Sequence, residues 1–346
     1  MSERKTGLAV IGLGMASKPH LEALAELAGS IEVTGVFNRG RDKSVHAAAS
    51  IGCRVFDSIE EIALDPATDG VIVITPPHQR TDIIRLLAAA GKHVLTEKPV
   101  ERSTAAAREI VETCERARVQ LGVVFQHRMR AGARRLAELV AAGELGELCL
   151  VRADIPWWRP QSYYDVPGRG SYERDGGGVL ISQAIHVLDL MLSLTGPADN
   201  VQAFCATTKT HEMESEDFAA AGVRYASGAV GSIVATTATY PGGAESMVID
   251  GTRGTAVLKG GHLSVTWRDG RSEEQGELSG TGGGADPMAF PCDWHRDLIA
   301  DFADAIRTGR PPLVTGRAAL NVHALIDAMV TSSRDGAAAA VERMDF

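Results

Sequence analysis

A short apolar run, Gly7 to Ile11, ends in Gly12-Leu13-Gly14 and leads into Pro19 to Leu27, where Leu21, Leu24 and Leu27 recur at helical spacing. A buried strand, a glycine turn and a helix, in that order, commit the start of the chain to a βαβ unit. The alternation continues. Ile31 to Phe37, Val55-Phe56, Gly70 to Thr75, His93 to Thr96 and Val119 to Phe125 read as further strands. Lys43 to Ser50, Ile59 to Leu64, Thr81 to Ala90 and Thr104 to Arg116 read as helices between them, with Gly91 as a cap. The segment GVIVIT (70–75) is nearly all β-branched, as expected of a parallel strand buried on both faces. Strands alternating with helices predict a doubly wound parallel sheet with short right-handed crossovers.

The texture changes after about residue 125. Arg134 to Ala142 reads as a helix, and residues 156–176, rich in Trp, Tyr, Pro, Arg and Gly, as a long loop. Gly178 to Leu194 reads as a helix, residues 199–268 as antiparallel strands, and 269–287 as a mobile polar hairpin or loop. Two helices follow, Asp293 to Arg307 and Ala318 to Ser333. The expected class is α/β, with one domain over residues 1–124 and a second over 125–346.

Composition removes several function classes. With 346 residues, 45% hydrophobic and 23% charged, the chain can bury a sizeable core, which excludes a disordered or fibrous protein. The net charge is −9 and no long Lys/Arg run occurs, so no nucleic-acid footprint is expected. No apolar stretch reaches the roughly 18 residues of a membrane span, and the run Leu8 to Ile11 ends in glycine as a strand would, unlike a signal segment. Cys53, Cys114, Cys149, Cys205 and Cys292 are scattered, with no C-x-x-C pair, as in a reduced cytoplasmic protein. The segment His211 to Asp217 lacks H-E-x-x-H spacing and reads as a solvated acidic loop, so no metal is expected.

The glycine turn carries the first chemical signal. Gly12, Gly14, Met15, Ala16 and Ser17 form G-x-G-x-x-S between the first strand and the first helix. The first glycine permits the tight turn, the second lets backbone approach a pyrophosphate, and the helix N-terminus offers free N–H groups and positive dipole charge. An NAD site usually has an acid about 20 residues on. Here the second strand ends in Asn38 and Arg39, with Asp42 nearby. Asn38 would not repel a 2′-phosphate and Arg39 could pair with one, which favours NADP(H), with NAD(H) as the alternative.

The glycine loop GLGMASKPHL, the turn VIVITPP (71–77), GKHVLTEKPV (91–100), DGGGVLISQAIHVLDL (175–190) and the stretch 301–328 together resemble the Gfo/Idh/MocA family of oxidoreductases nearly end to end. The resemblance implies a Rossmann domain followed by an α/β domain with a large, open, mostly antiparallel sheet, whose face commonly builds homodimers and homotetramers. It implies hydride transfer between a nicotinamide cofactor and a hydroxyl or carbonyl of a sugar, cyclitol or sugar derivative. Lys98 and His186 would carry proton transfer. Thr75, Pro76 and Pro77, with His78 next, would line the nicotinamide side, and Glu97 would support the Lys98 turn. Two positions depart from the family pattern: Arg80 stands where His is common, and Ser182 where Asp is common.

Residue types add candidates for substrate binding. Ser182, His186 and Asp189 share one face of a regular helix, and Asp189 could hold the imidazole tautomer. Trp157, Tyr163 and Arg169 lie in the aromatic loop, where rings can stack on sugar C–H surfaces and Arg can pair with an anion. Arg128, just after the last parallel strand, could reach the cleft. Two rival readings stay open: a glycosidase that oxidises its sugar transiently and reduces it again, and a non-enzymatic nucleotide sensor.

Overall fold

The computed structural model describes residues 4–278 and 291–344. The chain forms two compact units: the described parts of Met1–Glu101, Ala105–Phe125 and Pro291–Ala319, and those of Arg102–Thr104, Gln126–Phe290 and Leu320–Phe346. No helix among the described residues is long and apolar enough to cross a membrane.

The first unit holds six parallel strands: β1 (Thr6–Ile11), β2 (Ile31–Phe37), β3 (Arg54–Val55), β4 (Gly70–Val73), β5 (His93–Glu97) and β6 (Leu121–Val124), in the order β3-β2-β1-β4-β5-β6. Strands β1 and β4 are buried throughout, which is why their sequences read as unbroken apolar runs. The order reverses between β1 and β4. That switch point opens a crevice at the carboxyl ends of the strands, where open α/β sheets bind ligands.

A cut at residue 124 does not reproduce this unit, because residues 291–319 return to it. Gly70 and Gly122 leave the room that this segment fills. A Cβ at Gly70 would come within 2.9 Å of the Ile306 side chain, and one at Gly122 within 3.2 Å of Phe302. The Val123 N–H also donates to the Val314 carbonyl at 3.0 Å.

The second unit is built on nine strands: β7 (Leu148–Pro156), β8 (Ala198–Ala206), β9 (Phe218–Tyr225), β10 (Val230–Thr236), β11 (Ser246–Gly251), β12 (Gly254–Lys259), β13 (His262–Trp267), β14 (Ser272–Gln275) and β15 (Ala339–Ala340). Their order is β14-β13-β12-β11-β7-β10-β9-β8-β15. Every described pairing is antiparallel except β10 with β7. The central strand β7 is absent from the sequence reading. Of the expected loop 269–287, residues 272–275 form β14 and residues from 279 on lie outside the described residues. The helix expected over 178–194 is divided: Leu180–Ala184 is a π-turn, and regular α-helix runs over Ile185–Thr195. A π-turn inserts extra backbone and rotates the residues before it relative to those after it.

Candidate functional site

Within the first unit, the expected nucleotide residues gather at the carboxyl ends of β1, β2 and β4. Gly12 has φ +97°, and a Cβ there would meet the Thr75 nitrogen at 2.9 Å, so only glycine lets the β1 turn pass the end of β4. A Cβ at Gly14 would meet nothing within 4 Å. Helix Ser17–Glu26 starts behind this open turn with no side-chain cap; the Ser17 N–H donates to the Gly14 carbonyl at 3.1 Å, and no side chain caps the N–H groups that follow it in the first turn. Met15 is exposed beside it and Ala16 half buried. The Thr75 hydroxyl is buried with no hydrogen-bond partner among the described residues. An open glycine turn, an uncapped helix N-terminus and an orphaned hydroxyl beside them fit a dinucleotide.

Asn38 has a different place from the one expected. Its Oδ1 accepts from the Leu13 N–H at 3.1 Å and its Nδ2 donates to the Gly40 carbonyl at 3.2 Å. Both ends of the amide therefore brace the glycine loop against the end of β2. Arg39 is exposed and makes no ion pair with any described residue, whereas Arg41 pairs with Asp57. Pro76 and Pro77 open a short 3-10 turn after β4, and His78 is exposed on it.

Sequence reasoning missed Arg80 as a clamp. It is buried, and its guanidinium donates to the carbonyls of Thr75, Glu97 and Pro99. It thereby ties the turn after β4 to the turn after β5. Burial lowers its pKa to about 10, against the pull of Glu97 and Glu101. The departure at position 80 was the available signal: a cation beside two proline turns can satisfy carbonyls that proline-rich backbone leaves exposed.

Lys98 follows β5, half buried, and its backbone N–H donates to Glu97 Oε2 at 3.1 Å. Glu97 Oε1 accepts from His20 Nε2 at 2.8 Å. Burial pushes the Glu97 carboxyl up, but His20, His295 and Lys98 outweigh it and hold it down at about 2. An ionised carboxylate only accepts, so His20 Nε2 carries the proton in this pair. The His295 ring stands edge-on to His20 at 4.8 Å, and burial lowers its pKa to about 3. The ligand-type atoms of His20, Glu97 and His295 all lie within 4.8 Å of one another, and the His20–Glu97 hydrogen bond engages two of them.

In the second unit, His186 is buried just past the π-turn, its ring stacked on His127 at 4.9 Å and 25°. Arg130 donates to His127 Nε2 at 2.7 Å, which puts the His127 proton on Nδ1. Arg130 also pairs with Glu245 at 2.5 Å, and Glu245 accepts from Trp157 Nε1 at 3.2 Å. Trp157 is 6% exposed, so its ring belongs to the interior and not to a substrate rim. Asp189 is 1% exposed, with both carboxylate oxygens held by Arg128 at 2.6 and 2.7 Å. This places Arg128 and Asp189 in an internal ion pair. The Ser182 hydroxyl turns back to the Gly178 carbonyl and to Gln183, as expected where the π-turn rotates it off the face of His186.

Gly178 makes a close approach, and one further expectation changes. Gly178 admits the protein's own chain: a Cβ there would lie 1.8 Å from the Glu216 carbonyl oxygen. The segment His211 to Asp217 is largely buried and structural. His211 bonds Asp217 at 2.8 Å and the Arg159 carbonyl at 2.7 Å, and the Glu216 carboxylate accepts from the N–H groups of Gly178 and Leu180 at 3.2 and 3.1 Å. Tyr163 and Arg169 remain half buried in the aromatic loop, the guanidinium 4.6 Å above the ring.

Comparison with known proteins agrees with both halves of this architecture. The family profile described as an oxidoreductase family with an NAD-binding Rossmann fold matches residues 6–125, and the GFO/IDH/MocA C-terminal domain profile matches residues 133–257. The WlbA dehydrogenase from Bordetella pertussis, solved in complex with NADH and UDP-GlcNAcA, is 30% identical, with 98% of this chain and 100% of that one covered and a TM-score of 0.83. The D-xylose 1-dehydrogenase (NADP(+)) 2 of Haloferax volcanii is 28% identical over 89% of this chain and 91% of its own. The rhizopine catabolism protein MocA of Rhizobium meliloti is 28% identical over 59% of this chain and 61% of its own. A parallel sheet with an open glycine turn at its switch point, a mixed nine-stranded sheet after it, and these matches along both make the chain an NAD(P)-binding oxidoreductase of the Gfo/Idh/MocA family.

Proposed function

We propose that the chain transfers hydride between NADP(H) and a secondary hydroxyl, or the matching carbonyl, of a sugar, cyclitol or sugar derivative. The observation that carries the reading is the junction of β1 and β4, where an open glycine turn, an uncapped helix and the orphaned Thr75 hydroxyl adjoin. Relatives named for D-xylose and rhizopine, and one solved with a nucleotide sugar, support a sugar-like substrate. Arg39, exposed and without an ion pair among the described residues, supports NADP(H) over NAD(H).

When bound, the nicotinamide supplies or accepts the hydride. Gly12, Gly14, Met15 and Ala16 offer backbone to its pyrophosphate, while Thr75, Pro76, Pro77 and His78 border the turn beyond it. Proton transfer at the substrate oxygen is assigned to Lys98 and His186. Glu97, ionised and hydrogen-bonded to the Lys98 backbone, positions that turn. Stacking on a neutral His127 positions the His186 ring.

Five thiols support a reducing, cytoplasmic setting. On the large sheet, Phe204, Val234, Val230 and Leu150 are exposed, and their registers place them on one face. That face is the proposed contact of a homodimer or homotetramer. A panel of sugars and cyclitols, followed by nicotinamide absorbance, tests the function. Lys98→Ala and His186→Asn should each lower kcat by about 10²–10⁴-fold, the range for losing a proton-transfer group. Full activity in Lys98→Ala would overturn the assignment.

A further inference from the structure

The aromatic loop holds one buried cation, Arg159, beside a half-buried one, Arg169, and no carboxylate among the described residues pairs with either. Arg159 is 6% exposed. Its guanidinium donates to the Trp158 carbonyl at 2.8 Å and lies 5.8 Å from the Tyr163 ring centre, while its Nε is buried without a hydrogen-bond partner among the described residues. Arg169, half buried, stands 4.6 Å over the same Tyr163 ring, and its Nε atom is buried without a partner among the described residues. Burial, with repulsion from Arg169, lowers the Arg159 pKa.

The acids on adjoining elements are engaged elsewhere. Asp165 accepts from Gln161, and Asp175 accepts from the Gly170 N–H and faces Arg174 at 3.7 Å. Glu216 is held by helix N–H groups, and Asp217 by Thr208 and His211. Among the described residues, none forms an ion pair with Arg159 or Arg169. A buried charge without a counter-ion is strongly unfavourable, and Arg159 is such a charge with a second, half-buried cation beside it, an arrangement that an anion would relieve. The Tyr163 ring that both cations face lies near the π-turn before the helix of His186, since Gln183 Nε2 in that turn is 3.4 Å from the Tyr163 hydroxyl.

We propose that Arg159 and Arg169 form a subsite for an anionic oxygen group of the substrate, a carboxylate or a phosphoryl group on the sugar. This rests on the hydride-transfer reading and narrows its substrate class from sugars in general to acidic sugars. Arg suits the role because its planar fork matches both groups with paired hydrogen bonds.

The test is equilibrium binding by calorimetry to the full chain at constant ionic strength, with D-glucuronate, D-glucose 6-phosphate and D-glucose as probes. One or both charged sugars should bind at least tenfold more tightly than glucose, and the stronger identifies the group. Arg169→Gln should weaken that binding at least tenfold, with partial recovery in Arg169→Lys. Arg159→Lys, which keeps the buried charge, should weaken it less than Arg169→Gln. No preference for a charged sugar in the wild type, or unchanged affinity in Arg169→Gln, overturns the subsite. Binding is read without hydride transfer, so the two readings fail separately. Charge-dependent binding with no turnover of any sugar upholds the subsite and sinks the redox reading. Turnover of neutral sugars alone, undiminished in Arg169→Gln, does the reverse.

Discussion

Arg39 and Asn38 are neighbours in sequence with opposite fates. The Asn38 amide is spent on Leu13 and Gly40, so its substitution disturbs the glycine loop whatever the cofactor. Arg39 is exposed with no ion-pair partner among the described residues, so its substitution tests cofactor choice alone. Arg39→Ala should weaken NADPH binding by about tenfold, or about 1.4 kcal/mol, and leave NADH binding unchanged, as read by titration of nicotinamide fluorescence. Equal losses for both would assign Arg39 to the loop. Residue type was legible in the sequence at such positions; direction was not. Trp157 and Asp189 have the composition of a binding site, yet the first points inward to Glu245 and the second is held by Arg128. A side chain's partner 61 or 88 positions away has no local signature.

The elements of the first unit were legible because parallel strands buried on both faces leave continuous apolar runs, as in β1 and β4. Strand β7 was not, since it alternates Val151, Ala153 and Ile155 inward with exposed Arg152 and Asp154, and the charges mask a central strand. The π-turn at Leu180–Ala184 carries no periodicity that separates it from ordinary helix. At the end of β5, His20, Glu97 and His295 make a buried cluster with a testable pH signature. Unfolding restores His295 to about 6.5 and Glu97 to about 4.3, whereas in the fold they lie at about 3 and about 2. The unfolded chain therefore binds more protons below pH ~6.5, and linkage makes stability fall as pH drops. The His295 contribution is lost between pH ~6.5 and about 3, and that of Glu97 between pH ~4.3 and about 2. Thermal unfolding of His295→Gln should show a flatter decline between pH ~6.5 and 4 than the parent. Parallel declines would contradict the burial of a neutral His295.

At the scale of the whole molecule, the chain joins a Rossmann unit to a unit built on a broad mixed sheet. The return of residues 291–319 to the first unit is what a linear reading of domains could not supply, because it depends on Ile306 and Phe302 filling space left by Gly70 and Gly122. The central claim is net hydride transfer to or from a sugar-like substrate. Its most direct test supplies nicotinamide cofactor deuterated at the transferring position together with a carbonyl substrate found in the panel. Mass spectrometry then follows the label while absorbance follows the cofactor. The account predicts one deuterium in each product molecule and one reduced cofactor consumed for each. Product formed without cofactor consumption would contradict it and leave a transient oxidation that returns its hydride within the same turnover.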